Sequence, residues 1–265
     1  MALIATAGAP HVLVIAGSDS SGGAGIARDI ETVAAFGIRS CVSVTAVTAQ
    51  THTAVTSVEF MPARLVAEQI SAAFATNRVA AVKIGMLGTA STVAAVVSSL
   101  QAYPDIPIVL DPVLASTSGR PLLESDAIVR LKADLMPLCT LLTPNLNELG
   151  LLCDAKTATS DEEVCRQAQE LVSCGVRAVL VKGGHAEGRQ STDILFRPGR
   201  PPIRFDAPRL GGGARGTGCM LASAIGAGLA QGLSLEDSVR RAKRYVFQII
   251  ERSADKARAQ VAPCP

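Results

Sequence analysis

Tryptophan is absent from this 265-residue chain, and aromatic residues of all kinds make up 3% of it. Proteins that hold single-stranded nucleic acid stack bases on aromatic rings inside a basic groove. Here rings are scarce, the net charge is +2 and no Lys/Arg run stands out, which weighs against a nucleic-acid partner. No segment has the roughly 18 uninterrupted apolar residues of a membrane helix. The opening MALIATAGAP lacks a basic leader, and its apolar stretch is too short for a secretory signal. The expectation is a soluble, cytoplasmic protein. Charged residues are 18% and hydrophobic ones 48%, too apolar for disorder. The seven cysteines (Cys41, Cys139, Cys153, Cys165, Cys174, Cys219 and Cys264) are odd in number and never spaced C-x-x-C. Neither a disulfide framework nor a structural zinc site fits that pattern, and most read as small buried hydrophobes.

What is present is an alternation of short β-branched runs with longer Ala-rich stretches. Strands are predicted at 12–16, 41–47, 80–84, 107–110, 139–142 and 177–181, with a hairpin at 191–196 and 201–205. Continuous apolar runs of this length suit central parallel strands covered on both faces. Helices are predicted at 24–37, 62–76, 89–102, 125–135, 145–153, 160–174, 217–231 and 234–253. Asn145 after Thr143-Pro144 suits a helix cap, and Ser160 with Glu163 suits a capping box. No internal repeat or linker is visible. The expectation is one α/β domain spanning 1–265, a mostly parallel sheet with helices on both faces, with tails at 1–10 and 254–265. Ligands of such sheets gather at the carboxyl ends of the strands, here the loops at 17–24, 48–53, 85–89, 111–120, 143–148 and 182–188.

Several of those loops carry chemistry. AGSDSSGGAG, residues 16–25, joins a predicted strand to a predicted helix. Gly17 and Gly22 have P-loop spacing, but Gly23-Ala24 stands where Lys and Ser/Thr are required, so a Walker A site is rejected. A tight strand–helix turn remains the plain alternative. LGGGARGTGCM, residues 210–220, contains G-x-G-x-x-G at Gly211, Gly213 and Gly216, with Glu236 further on. A dinucleotide fingerprint needs its acid at the end of a following strand, and a helix follows here instead. Gly216, Thr217, Gly218 and Cys219 nevertheless lead into a helix, whose unpaired N–H groups and dipole favour a phosphoryl group. Cys219 there is expected to have a lowered thiol pKa and to serve as general base, unless it is an ordinary buried thiol. Asn145 and Glu148, three apart, suit either a hydrated Mg²⁺ or a helix cap. Lys182 in VKGGH, beside His185, suits phosphate neutralisation or a solvated turn.

Taken together, AGSDSSGGAG, TAVTAQ, KIGML, VLDPV, TPNLNE, VKGGH and GTGC stand in the order and spacing of the hydroxymethylpyrimidine/phosphomethylpyrimidine kinases of thiamine biosynthesis, which this chain resembles over about residues 11–250. The resemblance implies a ribokinase-like three-layer α/β/α sandwich, a homodimer, and two ATP- and Mg²⁺-dependent phosphorylations of 4-amino-5-hydroxymethyl-2-methylpyrimidine. It implies that Gly17, Asp19, Ala24 and Asp29 surround the substrate, that Gln50 hydrogen-bonds the pyrimidine, and that Met86 and Val113 pack on it. It implies that Lys182 meets the ATP phosphates, that Asn145 and Glu148 lie near Mg²⁺, and that Gly216 to Cys219 form the phosphate hole. Cys219 takes the place of the catalytic Asp of ribokinases.

Two departures accompany the resemblance. Ala214-Arg215 stands where the family commonly has Thr-His, and Arg215 suits either phosphate contact or solvent. Thr48 stands where an apolar residue is frequent. Two other functions remain open: a pyridoxal or pyridoxine kinase, and a non-catalytic ligand-binding relative. A pure binder has no need of Lys182, Glu148 and Cys219 together.

Overall fold

Alternation along the first strand sets the layers. In β1 (Pro10–Asp19), Leu13 and Ile15 enter one hydrophobic core while Val12, Val14 and Ala16 enter another. A strand apolar on both faces must be covered on both. The computed structural model, which describes residues 8–116, 119–183, 189–210 and 215–261, shows both covers. The first core takes side chains from α2 (Ala63–Thr76), α3 (Ala90–Leu100), α4 (Ser125–Arg130), α5 (Leu146–Leu152) and α6 (Asp161–Ser173). The second takes them from α1 (Gly25–Ala35), α7 (Thr217–Ala230) and α8 (Leu235–Val261). Among the described residues, no helix is long and apolar enough to cross a membrane.

The remaining strands are β2 (Arg39–Gln50), β3 (Val55–Phe60), β4 (Arg78–Ile84), β5 (Ile108–Leu110), β6 (Leu141–Leu142), β7 (Val179–Val181), β8 (Gln190–Arg197) and β9 (Arg200–Pro208). They form one sheet in the order β3-β2-β1-β4-β5-β6-β7-β8-β9. Strands β2 through β7 in that order run parallel, and β3, β8 and β9 add antiparallel edges. This is the expected α/β/α sandwich.

Four local features differ from the sequence reading. Strand β3 was not anticipated: VTSVEF is short and polar on its outer face, as an edge strand allows. The predicted helix 125–135 keeps α geometry only to Arg130, then widens into a π turn at Leu131–Leu135 and tightens into a 3₁₀ turn at Met136–Leu138. Helix α8 continues to Val261, beyond 253, because six of residues 254–261 are Ala, Lys, Arg or Gln, all strong helix formers. Ser160 accepts from Glu163 N as expected, but the Glu163 carboxylate reaches back one residue further, to Thr159 N.

Candidate active site

The carboxyl ends of β4 to β7 bring a row of charges together. Asp111 directly follows β5 and Lys182 directly follows β7. Lys182 Nζ donates to Asp111 Oδ1 at 2.7 Å and lies 3.7 Å from Glu148 Oε2. The register is fixed from β6: Lys182 N donates to Pro144 O at 2.8 Å, and Asn145 bridges Lys182 in parallel. Thr143, at the end of β6, lies with its hydroxyl 3.4 Å from Asp111 Oδ1. Burial alone raises the Asp111 carboxyl, but Lys182, Lys83 and Thr143 outweigh it and hold the group ionised, below its ordinary range. Burial alone lowers Lys182, and the Asp111 and Glu148 carboxylates more than offset that, so its ammonium is held above the usual lysine range. Glu148 is pushed up by burial, against the pull of Lys182.

Helix α7 starts on top of this pair. A Cβ at Gly218 would stand 3.2 Å from Lys182 Nζ and 3.7 Å from Asp111 Oδ2, so the helix start packs closely on the pair and a side chain there would push the ammonium by a few tenths of an ångström. Gly216 caps the helix at φ 73°, where a Cβ would also strike Gly23 O. The first glycine loop is thereby stitched to the second. Across the seam, the Gly25 backbone N–H weakly opposes the rise of the Cys219 thiol pKa. Thr217 opens the helix between the two glycines.

Beneath Cys219 lies a second ion pair that the sequence reading did not assign. Lys83 in β4 donates to Asp29 Oδ2 at 2.7 Å, and Ser223 in α7 donates to Asp29 Oδ1 at 2.7 Å. Both charged side chains are 0% exposed. The expectation that Asp29 lines the substrate is therefore corrected. Both of its oxygens are occupied, and it stands under the floor of the site, joining α1, β4 and α7. Burial pushes its carboxyl up, and Lys83 pulls it back. Burial alone lowers Lys83, while Asp29, Cys219 and Asp111 more than compensate and hold it charged.

The expected lowering of the Cys219 pKa is corrected as well. Burial pushes the thiol up to about 11, Lys83 opposes this, and the Asp29 and Asp111 carboxylates add to it. The helix start does not overcome a desolvated thiol flanked by two carboxylates.

On the β1–β2 side, a small apolar cluster gathers Ala46, Met86 and Leu122 with Val58, Phe60 and Val113. Thr45 Oγ1 donates to Met86 O at 2.6 Å and fixes the KIGML loop. A Cβ at Gly17 would stand 3.0 Å from Met86 Sδ. Asp19 Oδ1 accepts from Ser21 N at 2.9 Å and Ser21 Oγ at 2.7 Å, while its buried Oδ2 has no hydrogen-bond partner. Ala24 is the extended cap residue of α1. Gln50 closes β2, its N accepted by Ser20 Oγ at 2.8 Å. So Met86 and Val113 pack in one apolar cluster, Gly17 lies against Met86, and Asp19 and Gln50 end the adjoining strands β1 and β2.

Arg215 is not left to solvent. Its guanidinium donates to Thr51 O at 3.0 Å and Ser21 Oγ at 3.3 Å, lies 3.4 Å from His52 Nδ1, and stands 3.6 Å from Asp19 Oδ2. It ties the first glycine loop to the β2–β3 turn. Asn145 and Glu148 form a reciprocal capping box, Asn145 N to Glu148 Oε2 at 2.8 Å and Glu148 N to Asn145 Oδ1 at 2.9 Å. Among the described residues, no group of three His, Cys, Asp or Glu side chains forms a metal cluster. His185 and Gly211 to Ala214 lie outside the described residues.

Asp111 is the main residue that sequence reasoning passed over. VLDPV carried its signal: an acid directly after an apolar strand, at the carboxyl edge of a parallel sheet.

A helix N-terminus set over a buried Lys–Asp pair, beside a small apolar cluster on a ribokinase-like sandwich, is the frame of a small-molecule phosphotransferase. A family model described as phosphomethylpyrimidine kinase matches residues 19–263. The hydroxymethylpyrimidine/phosphomethylpyrimidine kinase of Rhizobium meliloti (strain 1021) is 42% identical over 245 residues, 92% of this chain and 91% of that protein. The crystal structure of phosphomethylpyrimidine kinase from Clostridium difficile 630 is similar with a TM-score of 0.79 and 34% identity, covering 91% of this chain and 99% of that one. The pyridoxal kinase from Staphylococcus aureus in complex with AMP-PCP is similar with a TM-score of 0.84 and 28% identity, covering 91% and 88%. The chain belongs to the phosphomethylpyrimidine kinase family.

Proposed function

We propose that the protein transfers the γ-phosphoryl group of ATP to the hydroxymethyl oxygen of 4-amino-5-hydroxymethyl-2-methylpyrimidine. It then phosphorylates the resulting monophosphate to the diphosphate, in thiamine biosynthesis. The observation that carries this is Gly218 seated over the Lys182–Asp111 pair with Cys219 one residue on. Family membership favours it over pyridoxal phosphorylation, since the pyridoxal kinase likeness is at 28% identity and the pyrimidine kinase likeness at 42%.

Phosphoryl transfer needs positioning and charge neutralisation more than covalent help. The N–H groups at Gly216 to Cys219 receive the equatorial phosphate oxygens. Lys182 stays charged and offsets the negative charge. The γ-phosphorus–oxygen bond to ADP breaks as the acceptor oxygen bonds to phosphorus. On the alcohol, Cys219 as thiolate takes the departing proton. Because burial keeps that thiol protonated at neutral pH, the first transfer accelerates as pH rises. The second acceptor is already an anion and needs no base.

Mg²⁺ prefers waters, one or two carboxylates and substrate phosphates over an all-protein cage. Asp111 and Glu148 flanking Lys182 match that sparse set, so these two would hold it. It would neutralise the transferring phosphates. Arg215 belongs to closure of the acceptor pocket rather than to the nucleotide. A homodimer in the cytoplasm goes with this reading and rests on the family likeness alone.

A coupled ADP-release assay with Mg-ATP tests it, comparing hydroxymethylpyrimidine, its monophosphate and pyridoxal. Turnover on both pyrimidines is expected. Turnover on pyridoxal alone transfers the protein to vitamin B6 salvage, and silence on all three removes it from catalysis.

A further inference from the structure

The two peptides that flank Lys182 are both held. On the β6 side, Lys182 N donates to Pro144 O. On the β8 side, the antiparallel ladder pairs Val181 with Ile194, and its continuation would set Gly183 opposite Thr192. Gly183 N donates instead to a side chain, Asp193 Oδ1, at 3.0 Å. A Cβ at Gly183 would strike Thr192 O, so glycine lets the chain leave the ladder this close to β8. Leu195 enters the core beneath α7 and α8, and by the two-residue period Asp193 shares that face. There Asp193 Oδ2 accepts from Lys243 Nζ of α8 at 2.8 Å, and Lys243 also donates to Ser191 Oγ at 3.1 Å. Arg209 holds the far side of the turn, donating to Gly183 O at 3.1 Å and Gln190 O at 2.9 Å. Asp193 is 3% exposed. A buried carboxylate costs folding energy unless it is paired, and here both oxygens are filled.

We propose that Asp193 is a positioning residue for phosphoryl transfer: by clamping the Gly183 N–H it fixes the direction in which the Lys182 side chain leaves the backbone. This rests on the reading of the protein as a kinase with Lys182 at the phosphates. A peptide is a rigid plane, and the two planes that meet at a Cα set where its side chain points. Pro144 O holds the plane before Lys182, and Asp193 holds the plane after it. Asp111 fixes the far end of the side chain. When a phosphate competes for the ammonium, the near end is what stays in place. Without an acceptor, the buried Gly183 N–H turns toward another one and carries the Lys182 Cβ with it. Lys243 supplies the countercharge and ties the clamp to α8, which packs against α7. The lysine and the phosphate turn at the start of α7 are thereby referenced to the same pair of helices.

The test replaces the buried pair by apolar residues, Asp193→Leu together with Lys243→Met, so that no charge is stranded. The double variant is made in the wild type and in Lys182→Met, and turnover with Mg-ATP and calorimetric affinity for AMP-PCP are read. An apolar swap of a buried pair is often neutral for stability, so the melting temperature is expected to stay near that of the wild type. In the wild-type background kcat is expected to fall about tenfold, as a shift short of 1 Å in a reacting geometry does, with KM for hydroxymethylpyrimidine held within about twofold. In Lys182→Met the same two substitutions are expected to cost nothing further, because the residue they act through is gone. A merely structural role would lower kcat by the same factor in both backgrounds. That result, or a wild-type kcat in the double variant, overturns the proposal. If the wild type phosphorylates no acceptor, the kinase reading fails by itself, and AMP-PCP affinity decides this inference. A loss of affinity that disappears in Lys182→Met upholds it, and any other result overturns it. If the double variant does not fold, Asp193→Asn decides by the same comparison. It offers one oxygen to two donors, so the Gly183 N–H goes unpaired part of the time. A loss in kcat of about threefold or more that disappears in Lys182→Met upholds the proposal, and any other result overturns it.

Discussion

Lys182 Nζ and Asp111 Oδ1 lie 2.7 Å apart at the ends of two strands whose residues are 71 positions apart in sequence, and Gly218 closes over them from a third element. A cation held charged by a buried carboxylate is pre-set for a phosphoryl group, which then meets an oriented ammonium and a row of N–H donors. The neighbouring features of the site are tuned to that pair.

Gly218→Ala tests how closely the helix must approach. Its methyl would meet Lys182 Nζ at 3.2 Å, so the ammonium must give by a few tenths of an ångström, and in a reacting geometry a shift of about 1 Å costs about a hundredfold. Alanine is the better helix former, so the melting temperature is expected to hold or rise while kcat falls about tenfold. Lys182→Met is expected to lose about 10²- to 10³-fold. A Gly218→Ala protein with full kcat would mean that phosphate is not bound at this turn.

Cys219→Ala separates the two phosphorylations. The alcohol needs a base, and general-base groups contribute about 10²- to 10⁴-fold. The monophosphate does not need one. Turnover of hydroxymethylpyrimidine is expected to drop by that factor, with pyrimidine binding retained and the second step far less affected. In wild type, kcat on the alcohol is expected to rise roughly tenfold per pH unit from 7 to 9, because the thiol ionises only at about 11. Lys182, held above the usual lysine range, stays charged throughout. Equal loss in both steps, or a flat profile on the alcohol, would remove Cys219 as base.

Asp29 and Lys83 give a stability prediction. Breaking a fully buried ion pair from one side costs about 3–5 kcal/mol. Lys83→Met is expected to lower the urea midpoint accordingly, and Lys83→Met with Asp29→Leu to recover most of the loss. A single variant that costs under about 1 kcal/mol would show that the pair does not hold α1, β4 and α7 together.

The layered sheet was legible because continuous apolar runs alternate with helical ones, and the phosphate turn because GTGC opens a helix of small residues. The floor of the site was harder to read. Ile26, Asp29 and Val33 share a helical face, so the spacing itself puts Asp29 toward the core. Lys83 sits within a buried strand in the same way. Only the fold shows that these two opposite charges meet. The Cys219 reading went astray because sequence shows a helix start but not burial, nor two carboxylates brought from 108 and 190 positions away in the chain. Strand β3 escaped because an edge strand needs apolar residues on one face only. The Asp193–Gly183 clamp needed hydrogen-bond directions that spacing does not carry.

The most direct test follows the phosphorus. Purified protein is incubated with Mg-ATP and hydroxymethylpyrimidine, and the products are followed over time by phosphorus NMR. The account predicts a pyrimidine monophosphate that rises first and then gives way to the diphosphate, with ADP formed at each step. ATP that stays intact, or that yields only free phosphate with the pyrimidine unchanged, would contradict it.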